Sequence, residues 1–136
     1  MSLYNETTVL NAVLELLNNT IEGNGKPVPA GLDDATWGDF GITIELVTPP
    51  RQSFLTLGGP THADIEIQTT TLAPASLCRP LGAKVRERLT ELKPDGDRKY
   101  PININLYGDI TSQQGFRQKN GNIYTWVERY IIPFQA

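Results

Sequence analysis

Histidine, cysteine and methionine each occur once in this chain, and that scarcity narrows the chemistry before any pattern is considered. A single cysteine, Cys78, cannot close an internal disulfide, so the sequence predicts synthesis in a reducing compartment. The Asn-x-Thr matches at Asn5 and Asn18 then carry no glycosylation meaning. A single histidine, His62, makes a Ser/His system or a catalytic metal site hard to assemble. No apolar run approaches the roughly 18 residues of a membrane span, and Met1 to Glu6 lack the basic and apolar stretches of a secretory signal. No glycine-rich loop precedes a helix, which leaves nucleotide binding without support.

What the chain does have is charge of both signs, unevenly placed. Its 136 residues favour one domain over 1–136, and a net charge of −3 argues against a general nucleic-acid binder. Residues 1–70 hold nine acids and two bases, a balance of −7, whereas residues 71–136 hold six acids and ten bases, a balance of +4. Such halves either neutralise each other within the subunit, the expectation favoured here, or face each other between subunits.

The pattern centres on His62 to Leu92. Ala63, Ile65 and Ile67 alternate with Asp64, Glu66 and Gln68, which predicts a strand with one buried face. After a Pro74-containing turn the period changes: Leu77, Leu81, Val85, Leu89 and Leu92 form one helix stripe beside the charged residues Lys84, Arg86, Glu87, Arg88 and Glu91. Upstream, Val9, Leu10, Val13, Leu14, Leu16, Leu17 and Ile21 predict a helix over Asn5 to Ile21, with Asn5 as N-cap and Gly23-Asn24-Gly25 as its stop. Residues 22–40 read as a long loop carrying Trp37 and Phe40, which pack over a sheet edge or form a contact surface. Ile42, Ile44 and Leu46 predict a strand ended by Pro49-Pro50, and Phe54 to Leu57 a short one closed by Gly58-Gly59-Pro60. Lys93 to Asp97 is a turn, Ile102, Ile104 and Leu106 predict another strand, and Asn120-Gly121 is a tight turn after a polar stretch from Thr111. The last strand, Ile123 to Phe134, places Tyr124, Trp126, Tyr130, Ile132 and Phe134 on one face. The expected class is α+β: a mostly antiparallel sheet of four to five strands flanked by two amphipathic helices.

Each chemical candidate has a plainer alternative. Cys78 falls in the first turn of the second helix, where the dipole lowers a thiol pKa, but a buried structural cysteine is the stronger reading. His62 and Asp64 share a strand face without the further ligands a metal requires. Asp33, Asp34 and Asp39 lack the spacing of a calcium loop. The basic residues Arg79, Lys84, Arg86, Arg88, Lys93, Arg98 and Lys99 are interrupted by Glu87 and Glu91, as on a solvated helix face or one half of a subunit contact. No catalytic, cofactor-binding or metal residue is predicted.

The order of elements, with Ala63 to Gln68, the helix around Leu81 to Leu89, and Arg117 to Phe134, resembles the tail terminator (tail completion) and minor tail proteins of long-tailed bacteriophages. In that family a polar turn with glycine precedes an aromatic-bearing last strand, here Asn120-Gly121 followed by Tyr124 to Tyr130. The loop from Gly25 to Phe40 departs from the pattern. The resemblance implies an α+β virion protein without catalytic residues or cofactors, assembled in the host cytoplasm and residing in the tail or neck. It implies a homo-hexameric ring that caps the tail tube and joins tail to head. The partners are then the chain itself, the tail tube protein and a head-tail connector protein. Genome DNA only passes through the channel, and no membrane is involved. Asp64, Glu66, Trp37, Arg86 and Arg88 are the expected subunit or channel contacts, with Asp64, Glu66 and Gln68 facing a lumen or neighbour. A head-tail connector or neck protein is the near alternative. A small ligand-binding or thiol-dependent enzyme domain, built on Cys78 or on His62 and Asp64, is the distant one.

Overall fold

A computed structural model describes residues 6–32, 40–56, 59–120 and 123–135. Seven strands and two helices follow the order α1 (Glu6–Leu17), β1 (Glu22–Gly23), β2 (Lys26–Pro27), β3 (Ala30–Leu32), β4 (Gly41–Thr56), β5 (Gly59–Ala73), α2 (Ala75–Thr90), β6 (Thr111–Asn120) and β7 (Ile123–Gln135). The main sheet has the strand order β3-β4-β5-β7-β6, with β3 parallel to β4 and every other pair antiparallel. This is the expected α+β class.

Both helices lie on one face of that sheet. Helix α1 covers β3 and β4, while α2 covers β5, β7 and β6. Val9, Leu10, Val13, Leu16 and Leu17 of α1 meet Ile42 and Ile44; Cys78, Leu81, Val85 and Leu89 of α2 meet Ile65, Ile67, Tyr130 and Ile132. Alternation of burial along β5 continues beyond the apolar residues, so that Thr69 and Thr71 are as buried as Ala63, Ile65 and Ile67. The opposite, helix-free face carries Glu45, Asp64, Glu66, Gln68 and Arg129. Arg129 Nε donates to Gln68 Oε1 at 3.2 Å across the β5–β7 pair.

Several boundaries differ from the sequence reading, each for a local reason. Helix α1 stops at Leu17 rather than Ile21, because Asn19 adopts φ 58° and Thr20 returns its hydroxyl to the Leu16 carbonyl. Gly23-Asn24-Gly25 does not stop a helix. Asn24 and Gly25, at φ 54° and 77°, are the two central residues of the β1–β2 hairpin, as a type I′ turn requires. Residues 22–40 are therefore not one loop, since β3 also pairs along the β4 edge. Phe40 is half-buried against the core, whereas Trp37 and Asp33, Asp34 and Asp39 lie outside the described residues, as do Asn5 and the turn at Gly121.

Pro49-Pro50 does not end the strand. Strand β4 runs through it, and the register slips between Leu46 and Thr48 and again between Thr48 and Arg51. Residues lacking an amide hydrogen sit at bulges, where no ladder bond is required of them. The predicted strand at Ile102 to Leu106 is instead irregular, held by an isolated bridge between Leu106 and Phe134. Its apolar residues are half-buried against the core without joining a ladder. Thr111–Asn120, read as merely polar, is the edge strand β6. Leu92 lies beyond the end of α2 and is 38% exposed, so it does not extend the helix stripe.

Candidate functional site

The most ordered polar constellation lies between α2, β6 and β7, and its centre is Glu128. The even positions of β7 face the helices, so Glu128 enters the core in phase with Trp126, Tyr130 and Ile132 and is completely buried. A buried carboxylate must find donors. Arg86, reaching down from α2, grips it with both arms: Nε donates to Oε2 and Nη2 to Oε1, each at 2.6 Å. Ser112 Oγ on β6 donates to Oε2 at 2.6 Å, and Trp126 Nε1 to Oε1 at 2.7 Å. Burial alone pushes the Glu128 carboxyl up, but Arg86, Ser112 and Trp126 outweigh it and hold the pKa at about 2. Four donors saturate both oxygens. No lone pair remains to accept a substrate proton, and at neutral pH there is no proton to give, so this carboxylate organises structure and cannot serve as a general acid or base.

Two glycines make the arrangement possible. Gly115 is opposite Glu128 in the β6–β7 register, and a Cβ there would overlap Glu128 Oε1 and lie 2.9 Å from the Trp126 ring. Gly82 of α2 lies over the same indole, so a Cβ would intrude on its Cγ and Cδ1. Trp126 is thus clamped between helix and edge strand with its ring N–H aimed at the carboxylate. Beside it, Tyr130 is fully buried; burial and then the charge of Glu128 push its phenol far above the ordinary value.

Outside this clamp lies a cleft of about 300 Å³ lined by Arg79, Gly115, Phe116, Arg117 and Trp126. The Arg79 guanidinium stands 5.8 Å from the Trp126 ring centre, and Arg117 stands 5.5 Å from that of Tyr124. Lys119 also approaches Tyr124, at 5.6 Å. Phe116 is 47% exposed. Neither arginine meets a carboxylate among the described residues.

The five expected contact residues are not brought together. Asp64 and Glu66 are half-buried on the helix-free face of β5, where Asp64 accepts a hydrogen bond from the Tyr107 hydroxyl. Arg86 and Arg88 are in the helical layer, on the other side of the sheet. Arg86 is committed to Glu128, and Arg88 donates to the Thr20 carbonyl at 2.6 Å while stacking 4.4 Å from the Tyr100 ring centre. Trp37 lies outside the described residues. Cys78 is buried in the first turn of α2, and burial, opposed by Arg117, raises its thiol pKa above the ordinary value. His62 belongs to β5, paired with Gln135, and its side chain is outside the described set. Among the described residues no three His, Cys, Asp or Glu side chains cluster as a metal would need.

Among the described residues no ion pair joins the two charged halves. All three ion pairs among the described residues, Arg86–Glu128, Lys99–Glu87 and Lys99–Glu91, lie within the second half. Lys84 and Arg88 donate across to the backbone carbonyls of Glu22 and Thr20, Arg129 to the Gln68 amide and the Tyr107 hydroxyl to Asp64, and none of these pairs an acid with a base. Sequence reasoning overlooked Glu128, although an acid in phase with a strand's aromatic face is the signature of a buried, partnered carboxylate. Compared with models of known protein families and with curated protein sequences, the chain matches none.

Proposed function

We propose that the chain is a structural, ring-forming subunit of the tail-terminator type, which closes a phage tail tube and joins it to the head. The observation that carries this reading is where the charge goes on folding. Strand β5 sits in the middle of the sheet and near the middle of the chain. The first half therefore supplies α1, β3 and β4 to one side, and the second half supplies α2, β7 and β6 to the other. Among the described residues the first half brings six acids and two bases to its side and the second half six acids and ten bases to the other, with no ion pair between the halves. Two different, complementary ends are what a head-to-tail ring requires of each subunit.

The rest of the molecule is compatible with that role. The helix-free face with Glu45, Asp64 and Glu66 is the surface we assign to the channel, because an acidic lining lets DNA pass without gripping it. Glu128 is saturated and Cys78 is buried, so neither supplies a reactive group. The test is native mass spectrometry of the purified protein at high concentration and low salt, then with a matching tail-tube protein. A closed ring, six subunits by the resemblance, that loosens with added salt is the expected result. A strict monomer under both conditions would refute the proposal.

A further inference from the structure

Resting on the ring reading, we infer that the Arg79–Arg117 cleft is the socket of the subunit contact, and that it receives a carboxylate from the α1 side of a second copy of this chain. Strands β6 and β7 together contain one acid, Glu128, and its two oxygens are already taken by Arg86, Ser112 and Trp126. The positive charge of Arg117 and Lys119 therefore has no free acid on its own strands, and Arg79, on α2, forms no ion pair among the described residues. One wall of the cleft is the Trp126 ring, and Arg117 stands over the neighbouring Tyr124 ring, so a carboxylate entering it leaves water and meets guanidinium groups whose planes are steadied by aromatic faces. Arginine with tryptophan and other aromatics is the composition of an interface anchor.

The occupant follows from complementarity. Helix α1 has two acids, Glu6 and Glu15, and no base, and Glu22 follows it in β1; Glu15 and Glu22 are exposed. None of the three forms an ion pair among the described residues. Helix α1 packs at the β3–β4 end of the sheet, whereas the cleft lies at the β6 end. A carboxylate there reaches an arginine cleft when copies follow one another in the same direction.

Two variants test this in the full chain: Arg79→Gln with Arg117→Gln, and Glu6→Gln with Glu15→Gln and Glu22→Gln. All five replacements keep the side-chain stem, and circular dichroism with thermal melting checks that each variant stays folded. Self-association, read by sedimentation and native mass spectrometry, is expected to weaken about tenfold or more in both. If the wild type assembles and either variant assembles equally well, the socket assignment is overturned while the ring reading stands. If the wild type stays monomeric with and without tail-tube protein, the ring reading falls and the socket with it. Quenching of Trp126 fluorescence by a single-stranded oligonucleotide, in a Trp37→Phe background with assembly unchanged, would assign the cleft to nucleic acid and likewise overturn the inference.

Discussion

Glu128 offers the sharpest test of the physical account, because its stabilising effect has a calculable pH dependence. Its folded pKa of about 2 lies below the ordinary carboxyl value, so its contribution is complete above the unfolded pKa and disappears as pH falls through the folded one. A depression from about 4.5 to about 2 corresponds to roughly 3 kcal/mol at pH 7. The Arg86 side chain is 43% exposed and partly screened, which brings the expected figure to about 2–3 kcal/mol. Glu128→Gln retains the shape but turns an amide N–H toward donors, and Arg86→Ala strips the carboxylate of two of its four hydrogen bonds. Each should lower the urea midpoint by about 1–1.5 M, taking a slope of about 2 kcal/mol per molar. The double variant should lose less than the sum of the two, giving a coupling of about 2 kcal/mol, since a lone buried partner costs more than an absent pair. From pH 7 to pH 3 the gap between wild type and Glu128→Gln should shrink by more than half. A coupling below about 0.5 kcal/mol, or a gap unchanged by acid, would refute the reasoning.

Two other outcomes follow from packing. Gly82→Ala would gain up to about 1 kcal/mol from helix propensity alone, yet the added methyl intrudes on the Trp126 ring; a net loss of about 1–3 kcal/mol is expected, and a more stable variant would dismiss the clamp. Cys78 is buried with a raised thiol pKa, so a thiol reagent at pH 8 should label the native protein far more slowly than the unfolded chain, where one equivalent reacts. Rapid stoichiometric labelling of the native protein would contradict that.

How legible the fold was depends on whether one side of an element meets water. Helix α2 and strand β5 do meet it, and their periods were plain in the sequence. Strand β6 is different: it lies at the sheet edge, and nine of its ten residues are polar or glycine, so no alternation marks it. Its strand character comes from pairing with β7. The converse holds at Ile102, Ile104 and Leu106, whose alternation does mark core contact yet belongs to a segment that joins no ladder beyond one bridge. Pro49-Pro50 would end a regular strand, but a bulged strand admits it. The Arg86–Glu128 grip joins residues 42 apart through tertiary structure, and only its buried acid left a trace in the sequence.

The placement of charge argues further than any single pair. Had β6 rather than β7 paired with β5, Arg117 and Lys119 would lie within the sheet and not beside its edge. Because β5 is the central strand, the first and second halves of the chain end at opposite edges, and because β7 is the inner strand Arg117 and Lys119 lie on the outermost one. A two-fold contact through either end would then bring like charge against like, acid on acid at α1 or arginine on arginine at the cleft. On the proposed assembly, copies arranged in the same direction put unlike charge at every junction, and a closed ring would satisfy both ends of every subunit without leaving an unpaired acidic or basic terminus.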